Sequence, residues 1–351
     1  MPVTAQLSRY WDYEVYKTAN KLLVDLMDVK EGQIVVITND TTGDDRLSRI
    51  VSTVAFQVGA TPVEVRYQTN EVATSDPPKP VAEALKSADV WIEFNRTYIL
   101  DSHTQLEAQK AGVRYICLTG MDVDSLVRTI GKVDLDAMFA LGEILAEITN
   151  KTDVMEVTCA NGTNLIAEMQ GRKASVETRA TDPGSVLMLG GQTNWVPFEE
   201  TVNGNAVFDG SVWPPDSVGV LFSPMTLSFE DGFVRRITGN WQASRFEEWL
   251  QSFNSENMFR FSHFSYGYNP GVLRPSDIVC ELERVFGCLD IGLGSQTYPL
   301  VEFPIENCPS HTDGTILKPT IIMDGEPIQK DGRYVHTELI KACRALGVPG
   351  Y

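Results

Sequence analysis

At 351 residues the chain has room for two domains, and its 43% hydrophobic and 22% charged content is that of a folded globular protein. A formal charge of −18 argues against nucleic acid and anionic membrane surfaces as partners, since both call for a basic face. No apolar run approaches the ~18 residues of a membrane span, and the start, MPVTAQLSRYWDYEVYKTANKLL, lacks the charged-then-apolar layout of a secretion signal. Six cysteines without a CxxC read as reduced thiols, so a cytoplasmic protein is expected.

The first predicted element is a helix over 8–28, carried by Tyr10, Tyr13, Tyr16, Leu22, Leu23 and Leu26. Residues 33–38 (QIVVIT) form a near-continuous apolar run, expected of a strand buried on both faces. A turn at 39–44 leads into a helix over 46–58, closed by Gly59. The alternation continues with strands at 62–67, 88–94 and 113–119 and helices at 80–87 and 102–111. Such alternation predicts a parallel sheet covered by helices, a Rossmann-like α/β domain. No GxGxxG follows the first strand, so a dinucleotide is not expected. A long amphipathic helix over 133–150 closes this domain, placed at 1–150.

From residue 153 the pattern turns β-rich, so 151–351 is expected to be a β-rich α+β domain carrying the metal site. Hairpins are predicted at 154–159 with 164–170 and at 226–229 with 234–238, the second around Glu230-Asp231-Gly232. Strands are expected at 186–189, 206–210 and 217–223, and 190–195 reads as a glycine-containing loop. A helix over 244–253 is expected with Ser244 as its cap and Glu247 at the capping-box position. Residues 259–266 read as extended and aromatic, 287–294 as a buried strand, 316–323 as a strand, and 336–346 as the last helix, opened by a structural His336.

Four histidines are present, His103, His263, His311 and His336. His311 and Asp313 are two residues apart between Pro309 and Gly314, and in extended backbone such residues face the same way. An imidazole beside a carboxylate is two thirds of a 2-His-1-carboxylate metal site. His263 is the candidate third donor: His263, Ser265 and Gly267 alternate with Phe264, Tyr266 and Tyr268, which puts the histidine on the small-residue face with room for a ligand. His103 opens a helix beyond the 88–94 strand, where a helix N-terminus favours a neutral imidazole base. Asn194-Trp195, on the glycine loop, is expected to bound a pocket.

Three stretches carry a family resemblance: Val202-Asn203-Gly204-Asn205-Ala206-Val207-Phe208-Asp209-Gly210-Ser211, Ser262-His263-Phe264-Ser265-Tyr266-Gly267-Tyr268-Asn269-Pro270, and His311-Thr312-Asp313. In order and spacing they resemble the fold family shared by the aminopeptidase T (M29) enzymes and 2,5-dihydroxypyridine 5,6-dioxygenase. The aminopeptidase branch has a metal-binding glutamate where this chain has His263 and a histidine where it has Asp290. It also has a glutamate in a region that contains none here, 204–210. The dioxygenase branch has an SHxxxGxxP-like segment and a later HxD, and this chain keeps both.

The resemblance implies one Fe(II) per chain held by His263, His311 and Asp313, and a homo-oligomer. The substrates it implies are O2 and a small hydroxylated aromatic such as a hydroxypyridine. It places His103 and Glu177 as catalytic candidates, and Asp290, Ser262 and Asn194 around the metal or substrate, with Asp290 orienting a ligand histidine. A two-metal hydrolase of the aminopeptidase class is the alternative, and a non-catalytic binding protein on the same scaffold a third.

Overall fold

The doubly buried apolar run becomes the strand Ile34–Asp40, which has parallel neighbours on both sides, Thr61–Tyr67 and Val90–Glu93. The computed structural model describes residues 12–70, 72–176, 178–296 and 308–351. By its contacts the chain divides into two units. The first comprises Met1–Val133, Thr178–Gly190 and Ile278–Cys280, and the second Asp134–Glu177, Gly191–Asp277 and Glu281–Tyr351.

In the first unit the parallel sheet runs in the order Thr61–Tyr67, Ile34–Asp40, Val90–Glu93, Arg114–Cys117 and Val186–Met188. The predicted helices between strands are present as Asp45–Gln57, Lys79–Lys86 and His103–Lys110. Polar side chains start two of them: the Asp44 carboxylate accepts from the backbone N–H of Arg46, and Ser102 Oγ from that of Gln105. The N-terminal helix spans Asp12–Asn20 and continues as a π-helical turn, Lys21–Leu26, that buries Leu22, Leu23 and Leu26; Tyr10 lies outside the described residues.

The carboxyl end of this sheet holds a wholly buried acid, Glu93. It accepts hydrogen bonds from the Tyr115 hydroxyl, from Asn95 Nδ2 at 2.7 Å and from the Ile99 N–H at 2.9 Å. Burial nonetheless pushes its carboxyl up to about 7, against the pull of these donors.

Among the described residues, the second unit holds two antiparallel sheets together with helices. One has eight strands, among them the two predicted hairpins, Val154–Thr158 with Asn164–Glu168 and Met225–Glu230 with Phe233–Thr238. The other has seven, in the order Gly219–Val220, Ser211–Trp213, His311–Ile316, Leu289–Gly294, Phe261–Gly267, Gln192–Trp195 and Ser175–Val176. One face of this second sheet packs on the helix Leu135–Thr149. A side chain at Gly142 would overlap the Tyr268 hydroxyl, and Thr149 Oγ1 lies 3.1 Å from the Tyr266 hydroxyl. That helix, read from sequence as the end of the first domain, has its contacts in the second unit.

Several elements differ from the sequence reading. The presumed loop at 190–195 contains the strand Gln192–Trp195, which pairs with the strand that carries His263. The strand at Val186–Met188 is present but joins the first unit's sheet, parallel to Arg114–Cys117. The helix expected at 244–253 begins earlier, spans Trp241–Ser252, and is capped by Asn240, whose Oδ1 accepts from the Gln242 N–H at 2.8 Å. The HTDG segment itself lies in a strand between two neighbours.

Candidate metal centre

Backbone pairing brings the proposed donors together. His263 faces Gly292, Gly292 faces Asp313, and Trp213 follows Asp313 on the same cross-strand row. His311 stands two residues from Asp313 on the same strand and therefore on the same face. Gly292 leaves the space between them open. A Cβ there would overlap Nδ1 and Cε1 of His263 and come within 2.9 Å of Cε1 of His311.

Above that glycine, one ligating atom each from His263, His311 and Asp313 falls within 4.8 Å of the others. His311 Nε2 lies 2.9 Å from Asp313 Oδ1, and His263 Nε2 lies 3.7 Å from the same oxygen. The imidazoles are nearly parallel, at 10° with centroids 5.2 Å apart. His263 is 8% exposed, while the His311 and Asp313 side chains are partly open to solvent.

Hydrogen bonds fix both rings. His311 Nδ1 lies 2.7 Å from the Ser295 carbonyl oxygen, which only accepts, so Nδ1 carries a proton, and Nε2, hydrogen-bonded to Asp313 Oδ1, is the nitrogen that can ligate once it loses its own. Ser262 Oγ donates to the same carbonyl at 2.7 Å, which leaves Oγ to accept from His263 Nδ1 at 3.5 Å. One backbone carbonyl thus orients both histidines, with their Nε2 atoms turned toward Asp313.

The local field separates the two rings. Burial lowers His263 to about 4, against the pull of Asp313, so it is a neutral imidazole at pH 7. Burial also opposes the charge on His311, but the Asp313 charge, their hydrogen bond and the Ser295 carbonyl outweigh it and raise that ring to about 9. An anion-rich pocket that holds a proton on one ligand is one from which a dication displaces that proton.

A second group shares His263. One ligating atom each of His263, Glu283 and Asp290 falls within 4.8 Å of the others. Asp290 Oδ2 is 3.7 Å from His263 Nε2. Glu283 accepts from Gln192 Nε2, which also reaches Ser265 Oγ at 3.0 Å, and pairs with Arg284 Nη1 at 3.1 Å. Neither Glu283 nor the Ser295 carbonyl was singled out from the sequence. A backbone acceptor has no sequence signature, and Glu283 lies on the short 3₁₀ turn Val279–Arg284, without strand alternation to mark its facing.

The other candidates fall as follows. Ser262 and Asp290 are at the centre. Asn194 faces Ser265 across the strand pair, and its Oδ1 is buried without a hydrogen-bond partner. Trp195 points to the opposite face, packed on Tyr266 at 4.3 Å between centroids, as a core residue. His103 belongs to the first unit, at the start of His103–Lys110, with its side chain 74% exposed and Nε2 3.6 Å from Glu107. Glu177 lies outside the described residues. His336 is exposed at the start of Thr337–Ala345.

The profile of one family, 2,5-dihydroxypyridine 5,6-dioxygenase (NicX), matches residues 17–276 of the chain. The chain belongs to the NicX family. The matched span includes His263 and ends before Asp290, His311 and Asp313, which the strand register brings to it. Among solved structures, the chain is similar to 2,5-dihydroxypyridine dioxygenase from Pseudomonas putida KT2440, with a TM-score of 0.76 at 18% identity over 94% of this chain and 99% of that one. It is also similar to the aminopeptidase AmpT from Thermus thermophilus, with a TM-score of 0.68 at 12% identity over 93% and 100%. No curated protein sequence matches. The NicX and M29 enzymes thus share this fold, and a NicX-family chain is a member of a family of metal-dependent dioxygenases. Among the described residues no helix is long and apolar enough to cross a membrane.

Proposed function

We propose that this NicX-family chain is a mononuclear non-haem Fe(II) dioxygenase that opens the ring of a hydroxylated pyridine, or a related hydroxylated aromatic, with O2. The observation that carries the reading is the convergence of one ligating atom each from His263, His311 and Asp313 over a glycine that makes room for the two imidazoles. Two imidazoles and one carboxylate suit iron(II) and leave further positions for exogenous donors. Iron bound there supplies the redox centre through which an electron-rich ring and O2 exchange electrons.

The chain's own residues do the rest. Ser295 and Ser262 hold the two rings in the tautomer that offers Nε2. The buried side of His263 excludes water, and the partly open side at His311 and Asp313 admits the substrate. His103 and Glu177 are carried in this reading as the acid–base groups. We also place the enzyme in a reducing cytoplasm, where its six free cysteines persist as thiols, and as a homo-oligomer.

Metal analysis of protein purified without oxygen should give one iron per chain. O2 uptake should follow addition of a hydroxypyridine from a panel of such compounds. Replacing His311 with alanine should abolish both iron and uptake; retention of iron by H311A removes the ligand assignment, and silence across the panel with iron bound removes the substrate class. The aminopeptidase-like alternative has one observation in its favour, the second group of His263, Glu283 and Asp290. His263 Nε2 has a single lone pair, so it serves one ion at a time. Two divalent ions per chain, with peptide hydrolysis, would favour that reading.

A further inference from the structure

Both histidine rings take their aim from one backbone carbonyl, so whatever holds Ser295 holds the site. The Ser295 N–H donates to the Ser310 carbonyl at 2.9 Å. Ser262 Oγ donates to the Ser295 carbonyl at 2.7 Å, and in return Gln296 Nε2 donates to the Ser262 carbonyl at 3.1 Å. A side chain of each segment thus grips the backbone of the other. The result is a reciprocal clip between the strand Phe261–Gly267 and the two residues that follow the strand Leu289–Gly294.

The clip is locked from a third segment. Gln296 is 8% exposed, and its Nε2 also donates to Glu199 Oε1 at 2.9 Å. Both hydrogens of the amide are therefore spent on acceptors. Its Oε1 has no partner among the described residues, yet a half-turn of the amide would set that oxygen against two acceptors. Glu199 is buried on the short turn Glu199–Thr201. Its Oε2 pairs with Arg172 Nη2 at 3.1 Å, and Arg260 Nη2 lies 3.9 Å from Oε1. Arg172 is itself seated over the Phe198 ring, 4.5 Å from its centroid. Two guanidinium groups thus balance and fix the carboxylate that fixes Gln296.

We infer that Glu199 is a positioning residue for the metal centre: acting through Gln296, it sets the Ser295 carbonyl and with it the direction of His263 and His311. The inference rests on the metal reading above and deepens it. Glu199 belongs to neither group of ligating side chains, so its effect is wholly indirect. Without the Gln296 amide the Ser262 carbonyl loses its donor and the 295–296 peptide is free to turn. A carbonyl shared by two rings then moves both at once.

Metal-free, full-length protein titrated anaerobically with Co(II) tests this, read by calorimetry and by the visible bands of bound Co(II), with the metal-free Tm measured in parallel. Wild type should bind one Co(II) per chain. Gln296→Glu keeps the shape without the N–H donors and should weaken binding about tenfold, the usual effect of losing a group that orients ligands, with shifted bands. Glu199→Ala should shift the bands in the same sense and weaken binding several-fold. Glu199→Gln, which keeps an oxygen for the Gln296 amide, should recover most of that loss. Wild-type affinity and bands in Glu199→Ala would overturn the inference, whatever happens to its Tm, and leave the three-residue site standing. Equal losses in Glu199→Gln and Glu199→Ala would also overturn it, since the effect would then belong to the charge and not to the amide it holds. No Co(II) bound by wild type would overturn the metal reading together with it.

Discussion

Gly292 shows how one missing side chain creates room for two imidazoles. It sits between His263 and Asp313 in the register, and its bare Cα is what lets two imidazoles stand side by side over a central strand. Gly292→Ala should therefore leave the sheet able to form but displace both rings. We expect at least a tenfold loss of metal affinity, about the effect of removing a ligand-orienting group, measured by titration of metal-free protein. Wild-type affinity in G292A would show that the rings do not depend on this gap. At this scale much was legible in the chain. The two-residue spacing of His311 and Asp313 and the alternation around His263 both gave the correct face. The unread part was what fixes the rings, because the Ser295 carbonyl is identical in every residue type and only the folded loop aims it.

Elements were predicted well where their signal was local and less well where a distant strand decided. Both hairpins formed, and Asp231 and Gly232 take positive φ, 49° and 75°, as a tight two-residue turn requires. The helix at Trp241–Ser252 shows the limit of a local rule. Ser244 and Glu247 fit a capping box, but Asn240 provides an earlier start and its side chain takes the bond. Asn240→Ala should cost about 1 kcal/mol of stability, and Ser244→Ala, an exposed site inside the helix, should cost nothing measurable. Urea unfolding of both variants distinguishes the two caps; equal losses would refute the assignment. Gly190 and Gly191 suggested a loop, yet Gly191 has φ of +104° and packs against Asn269, where an added Cβ would come within 2.6 Å. Gly191 serves close backbone approach just before the strand Gln192–Trp195.

For the molecule as a whole, the change from alternating α/β to antiparallel β was visible in the sequence, and with it two kinds of sheet. The path of the chain between them was not, since a three-residue strand such as Val186–Met188 has no local signature of its partner. The buried Glu93 makes a prediction about stability at this scale. Its carboxyl is raised from the model-peptide value of 4.5 to about 7, so between these values the folded state keeps a proton that the unfolded chain has released. Stability contributed by this group is fully present below pH 4.5 and is lost as pH rises through 7, on the order of 3 kcal/mol in all. Glu93→Gln should flatten that fall between pH 5 and pH 8 in denaturant titrations; an equally steep decline in E93Q would assign it to other groups.

The return of Thr178–Gly190 to the first unit also has a consequence for synthesis. During translation, Arg114–Cys117 emerges long before the strand that pairs with its outer edge. Until residue 188 has left the ribosome, that edge exposes unpaired backbone groups of a buried strand, an invitation to pairing with another nascent chain. Ile278–Cys280 arrives later still, and the Cys280 N–H bonds the Thr119 carbonyl at 3.2 Å. A ribosome stalled near residue 150 should therefore hold a sheet with one edge open, more sensitive to protease than one stalled well past residue 280.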